Sequence, residues 1–257
     1  MHAAVKSKHV DVIETLIDMG ALVNTRNDYS PYHGATSAER QTPIENVINA
    51  RRTDLLRVLL NADDVLDAVN AADYLGNTPL HRAAHMGYKE AIDLLLEAKA
   101  SVNATNGWTG AALHSALGRR QQKCAYQLMH AGADLNIVTQ WGSLPTDFYT
   151  DGTEPRGARA LNMALHLQLY GVARDLIRLK SDPDAELGNG ATALNQCLDA
   201  DQFDIAQVLL DAKADPNKVR PVVLHLFRNI YSTVEIVNAS FETLDRPKMR
   251  MALHRYI

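Results

Sequence analysis

The sequence predicts an all-α solenoid of stacked antiparallel helix pairs joined by hairpins, and three observations carry that expectation. The chain repeats itself every 33 residues, each unit reads as helix, short turn, helix, hairpin, and the composition suits few other classes. A chain of 257 residues forms one large domain or two small ones, either able to bury a core. With 14 Gly and 9 Pro it is neither collagenous nor of low complexity, and 6% aromatic content is low for an all-β sandwich or a carbohydrate-binding surface. The formal charge of −4 argues against nucleic-acid binding along the whole length. Cys124 and Cys197 cannot make a disulfide framework, and no CxxC spacing is present to hold zinc. The first twenty residues alternate charged and apolar groups, and no later run approaches the ~18 apolar residues of a membrane span. A soluble, intracellular, cytoplasmic protein is expected.

Two sets of anchors give the period. Leu80-His81 recurs as Leu113-His114, Val102-Asn103 as Leu135-Asn136, Leu161-Asn162 as Leu194-Asn195 and Asp184 as Asn217, each pair 33 apart. The misfits locate insertions. Leu113 to Leu161 and Asn136 to Asp184 are both 48, one period plus 15, which places an insertion near 143–158. Ile44 to Leu80 is 36 while Asn70 to Asn103 is 33, so three extra residues lie in NADDVLDA before Val69. Met1-His2 stands at the Leu-His position of the first copy, and Met1 to Ile44 is 43, which puts ten extra residues near 27–40.

Within the clearest unit, Thr78 before Pro79 suits an N-cap followed by Pro in the first turn. Gly87 ends that helix after about two turns. Ala91, Ile92, Leu94, Leu95 and Leu96 form the apolar face of a second helix that closes near Lys99 or Ala100, and the Asn/Gly-rich stretch to Trp108 reads as an exposed turn. Each pair is apolar on both flanks and must stack on neighbours, with small Ala83-Ala84 where an inner helix lies close to the next.

The segment TPLHRAAHMGYKEAIDLLLEAKASVNA resembles the ankyrin repeat over its whole length. The resemblance covers Met1 to Asn217 as six units, the first without its leading hairpin arm and the fourth with Ala111-Ala112 in place of Thr-Pro. It divides the chain into an array over 1–219 and a degenerate repeat or helical C-terminal cap over 220–257, where Leu224-His225 falls 30 after Leu194-Asn195. It implies projecting β-hairpin fingers, a concave groove, and a scaffold that binds a partner protein through fingertips and inner helices. The positions so implied are Tyr74, Leu75 and Asn77, then Trp108 and Gly110, then Gln140, Trp141 and Ser143, with His85, Met86, Gly118 and Arg119 on the inner helices. Leu75, Trp108 and Trp141 are spaced by 33, a ladder on neighbouring fingers and the apolar centre of an interface, with Arg119 on its rim. Packing of the tryptophans beneath the insertions, with Phe148-Tyr149 over Trp141, is the alternative. The 27–40 insertion, with Tyr29, Tyr32 and His33, is either a second contact or a spacer.

Chemistry finds little footing. In the ankyrin family the Leu-His histidine fixes local backbone, a role that falls here to His2, His81 and His114. His81 and His85 share a helix face at i, i+4, but no third zinc ligand is evident. Asp147, Asp151 and Glu154 cluster without the pattern of a calcium loop. GxSxG, HExxH, the P-loop and a dinucleotide fingerprint are all missing, and both cysteines sit on apolar helix faces as inert thiols. No catalytic residue, metal, cofactor, small-molecule substrate or nucleic acid is expected, and the chain is expected to be a monomer. A targeting or substrate-recruiting module of a larger enzyme or effector is the alternative. The resemblance also makes Asn103 and Asn136 candidates for hydroxylation in animal cells. From Lys218 onward the net charge is +4 against −8 for the rest, and Arg51-Arg52 and Arg119-Arg120 occupy related turns, where a shared basic edge is expected.

Overall fold

The computed structural model describes residues 1–7, 9–25, 41–73, 75–107, 110–139, 157–187 and 190–218. The first pair is α1 (His2–Ser7) and α2 (Val10–Asp18), and the second is α3 (Pro43–Asn49) and α4 (Thr53–Leu59). A short helix, α5 (Val65–Asn70), occupies the place of the three extra residues. Then come α6 (Pro79–Met86) with α7 (Lys89–Glu97), α8 (Ala112–Gly118) with α9 (Gln122–His130), α10 (Ala160–His166) with α11 (Tyr170–Arg178), and α12 (Ala193–Asp199) with α13 (Phe203–Asp211). The inner layer α1, α3, α6, α8, α10, α12 packs in that order, and the outer layer α2, α4, α7, α9, α11, α13 runs parallel to it. A finger is preserved where β1 (Thr105–Asn106) pairs antiparallel with β2 (Gly110–Ala111). Glu186 and Thr192 bridge at the corresponding place two repeats on.

The helices begin and end by local chemistry. Thr42 Oγ1 accepts from the Glu45 N–H at 3.2 Å while the Thr42 N–H donates to Glu45 Oε2 at 2.8 Å, a complete capping box. Thr192 caps α12 through the Asn195 N–H at 3.3 Å. Ala111 has no capping oxygen, and only its N–H, bonded to His114 Nδ1 at 3.3 Å, keeps half of the arrangement. Inner helices end on a left-handed residue: Arg51, Gly87, Arg120, Gln168 and Asp201 have φ of 52°, 65°, 55°, 58° and 54°. The next N–H bonds a carbonyl five residues back, as in Tyr88 to Ala83 at 2.9 Å and Leu169 to Ala164 at 2.8 Å. Outer helices repeat the device at Gly20, Lys99, Gly132, Lys180 and Lys213. The α7 helix itself stops at Glu97, two or three residues before the sequence suggests, because Lys99 is the left-handed residue that closes it.

One continuous apolar cluster runs from Ala4 to Ala214 between the two layers. Ala83 and Ala84 are fully buried, and so are Val47-Ile48 and Ala116-Leu117 in the same slots, so larger residues fit there as well. A small satellite of Ala158, Leu187 and Ala191 lies beneath the hairpin after the second insertion.

Candidate interaction surface

Two series of polar side chains clamp one repeat to the next and hold the surface in register. The first stands at the third position of α6, α8, α10 and α12 and at His2, the first residue of α1. His81 Nδ1 accepts from the Thr78 N–H at 3.2 Å, and its Nε2 donates to the Gly110 carbonyl on the next finger at 3.0 Å. His2 Nε2 donates to the Gln41 carbonyl, the equivalent atom of its neighbour, at 2.9 Å. Asn162 and Asn195 do similar work, reaching the Ala185 carbonyl at 3.2 Å and the Lys218 carbonyl at 3.5 Å. His114 differs. Thr139 takes the Ala158 carbonyl with both N–H and Oγ1, at 3.0 and 3.2 Å, and no partner reaches His114 Nε2 in hydrogen-bond geometry among the described residues. Burial pushes the His114 pKa down to about 4, with the backbone of Ile137 pulling weakly the other way. Burial likewise lowers that of His81, against the Gly110 carbonyl and Asp73.

The second series is a ladder of side-chain oxygens accepting from the backbone of the following repeat. Asn70 takes the Ser101 N–H at 2.8 Å, Asn103 that of Asp134 at 2.8 Å, and Asp184 that of Asp215 at 2.7 Å, each across 31 residues. Asn136 takes the Asp182 N–H at 2.9 Å across 46 residues, so the second insertion leaves the stacking register untouched. The first junction is rewired. There Asp64, in the extra segment before α5, accepts from the Val23 and Asn24 N–H groups at 2.9 and 3.0 Å. These side chains marked the period in sequence, but their bonds span more than thirty residues and leave no local signal. Asn103 and Asn136, the hydroxylation candidates, are exposed on this ladder.

The framework fixes where the expected contact residues fall. Leu75 is exposed at a fingertip and held by its N–H to Asp73 Oδ1 at 2.8 Å. Asn77 is half-buried and bonded to Asp73 and to the Asn106 amide, so its side chain ties two fingers together. Gly110 is buried and its carbonyl serves His81, which makes it a framework residue with no free surface. His85 and Met86 are half-buried, and Arg119 is exposed, its Nε donating to His85 Nδ1 at 3.4 Å. Burial, then the charges of Arg119 and Arg82, holds the His85 pKa down to about 4. Gly118 is buried. Tyr74, Trp108, Gln140, Trp141 and Ser143, the insertion residues Tyr29 and Asp147, and the segment 220–257 lie outside the described residues.

The same geometry bears on chemistry. Both nitrogens of His81 are engaged within the framework, so it cannot join His85 on a metal. Among the described residues no three His, Cys, Asp or Glu side chains gather as metal ligands, and no helix is long and apolar enough to cross a membrane. Cys124 and Cys197 are buried free thiols, and burial raises both pKa values, that of Cys197 to about 12, the opposite of an activated nucleophile.

Comparison with known proteins agrees with this architecture. The profile for ankyrin repeats (three copies) matches residues 1–106 and again 47–139. The chain is 29% identical over 151 residues to the nuclear factor NF-kappa-B p105 subunit of Rattus norvegicus, an alignment covering 54% of this chain and 14% of that protein. It is 27% identical over 139 residues to neurogenic locus notch homolog protein 2 of Homo sapiens, covering 53% of this chain and 5% of that protein. It is 43% identical over 68 residues to the serine/threonine-protein kinase VIK of Arabidopsis thaliana, covering 26% of this chain and 15% of the kinase. The aligned region is thus a small part of each of these relatives. Among solved structures, the ankyrin repeat domain of Bcl-3, a member of the IkappaB protein family, superposes with a TM-score of 0.63 at 20% identity, over 83% of this chain and 86% of that one. Ankyrin repeats are non-catalytic protein–protein interaction modules. With the profile matched over more than half its length and the stacked helix pairs of the fold, the chain belongs to the ankyrin-repeat family.

Proposed function

We propose that this chain is a non-enzymatic scaffold that binds a partner protein through its fingertips and the exposed face of its inner helices. The observation that carries the reading is a division of labour. The histidines and asparagines that recur at framework positions are consumed in clamping repeats together, while the exposed side chains change from repeat to repeat along one face. Exposed Leu75 begins a 33-residue series that continues at Trp108 and Trp141, and these three form the apolar centre, with Tyr74, Asn77, His85, Met86, Arg119, Gln140 and Ser143 around it. The two buried, unpaired thiols support a reducing, intracellular setting. The chain acts as a monomer and does not engage nucleic acid as its main ligand.

Affinity capture from native lysate with the wild type and with Trp108→Ala/Trp141→Ala tests this, helical content being checked by circular dichroism. Loss of a partner from the variant alone, a weakening of about 2 kcal/mol or more, supports the fingertip site. An unchanged catch with intact helicity removes both tryptophans from the interface. The match to a plant kinase favours a second reading, in which the chain is a substrate-recruiting module of a larger enzyme. A native protein with an intact mass well above that of 257 residues would support it, and one of matching mass would reject it.

A further inference from the structure

The charged residues separate by layer. The inner helices α1, α3, α6, α8 and α10 with their described turns, over residues 2–7, 43–52, 79–88, 112–121 and 160–169, carry six Lys and Arg and one carboxylate, Glu45. Glu45 is buried in the capping box and presents no charge to the surface. The outer helices α2, α4, α7, α9, α11 and α13 with the turns that follow them carry ten carboxylates against eight Lys and Arg. A chain of net charge −4 thus shows a basic face on one side, and that face stops at Asp199 and Asp201 in the last described repeat.

The basic groups form a row across neighbouring repeats. Arg51 reaches the Met86 carbonyl and lies over the Tyr88 ring at 5.3 Å from its centroid. Arg82 bonds back to Asn49, and Arg119 bonds back to His85. Arg82 and Arg120 are exposed, and among the described residues neither is paired with a carboxylate. His85 lies among these groups, its pKa lowered first by burial and then by the charges of Arg119 and Arg82.

We propose that the face from α3 to α8 receives an extended acidic segment of the partner protein, with Arg82 and Arg120 as its carboxylate receptors. The assignment rests on the protein-binding reading above and specifies the chemistry of that partner. Packed helices lie about 8–10 Å apart. A chain in polyproline II geometry rises about 3.1 Å per residue with three residues per turn, so every third side chain faces the same way at about the spacing of the repeats. Arg82 and Arg120, on neighbouring inner repeats, therefore suit two carboxylates of one such segment, each met by a guanidinium able to take both oxygens. A nucleic acid fits less well, because its phosphates would run on into Asp199 and Asp201 and no Phe, Tyr or Trp stands at the inner-helix positions Asn49, His85 or His166.

Fluorescence anisotropy on the full chain tests the proposal with a labelled peptide of about twelve residues bearing Glu at every third position. The companion probes are the same peptide with Gln and a single-stranded oligodeoxynucleotide of equal charge. The Glu peptide should bind, weaken with salt, and lose about tenfold or more in affinity with Arg82→Gln/Arg120→Gln. It should be unaffected by Lys89→Gln/Lys123→Gln, the same charge change on the outer layer. Absence of binding by the Glu peptide, equal binding by the Gln peptide, equal loss with both double variants, or comparable binding of the oligonucleotide through the same arginines would each overturn it. A captured partner that survives Arg82→Gln/Arg120→Gln but is lost with Trp108→Ala/Trp141→Ala leaves the interaction surface standing and removes the acidic segment. A partner lost with neither removes both.

Discussion

His114 sits where the repeat places a histidine to reach the following finger, but Thr139 has taken the carbonyl it would meet. Fully enclosed, the ring stays neutral with a pKa near 4, against an ordinary 6.5. Between those values the unfolded chain binds a proton that the folded one excludes, so the stabilisation is complete above about pH 6.5, falls with decreasing pH and levels off below about 4. At about 1.4 kcal/mol per pH unit, the swing from this one ring is of order 3 kcal/mol. Urea midpoints measured across that window should show a shallower slope for His114→Gln than for the wild type. An unchanged slope would assign the acid sensitivity to His81 and His85, which are also held towards the neutral form. The histidine positions were legible in sequence through the Leu-His anchors. The diverted acceptor was not, because it depends on how Thr139 meets Ala158 across the second insertion.

Each of the five turns from α3, α6, α8, α10 and α12 to the outer helix that follows demands one left-handed residue, and only Gly87 among these meets that demand without a Cβ. A side chain there costs ~1–2 kcal/mol, while glycine adds backbone entropy to the unfolded chain. Gln168→Gly should therefore raise stability by about 0.5–1 kcal/mol, read as an increase in denaturation midpoint at unchanged far-UV spectrum; a decrease would show that the Gln168 side chain contributes contacts of its own. Element boundaries were readable where chemistry is local. Thr78, Pro79 and Gly87 announce the limits of α6, and the mismatch between 48 and 33 places the second insertion. The α5 helix escaped notice because six residues carry too short a pattern to stand out.

At the scale of the molecule, each helix pair packs chiefly on its neighbours, so damage should spread by distance along the stack. Leu209→Ala empties a fully buried position in α13 at a cost of about 2–5 kcal/mol. Hydrogen exchange should speed up in α12 and α13 while α6 to α9 keep their protection; uniform acceleration would mean that the array unfolds as one unit. The stack itself was evident from periodicity, whereas the sorting of charge into a basic and an acidic layer emerges only once each helix has a side. The bond from Asn136 to the Asp182 amide has a further meaning for the history of such a chain. It is made as well across 46 residues as its counterparts are across 31, so spacing in space is uncoupled from distance along the polypeptide. Doubling the length of a loop costs only about 0.6 kcal/mol in closure entropy. Residues can accrue or vanish at that junction with the stack left in register, which makes it a place where new recognition elements can be tried without wagering the fold.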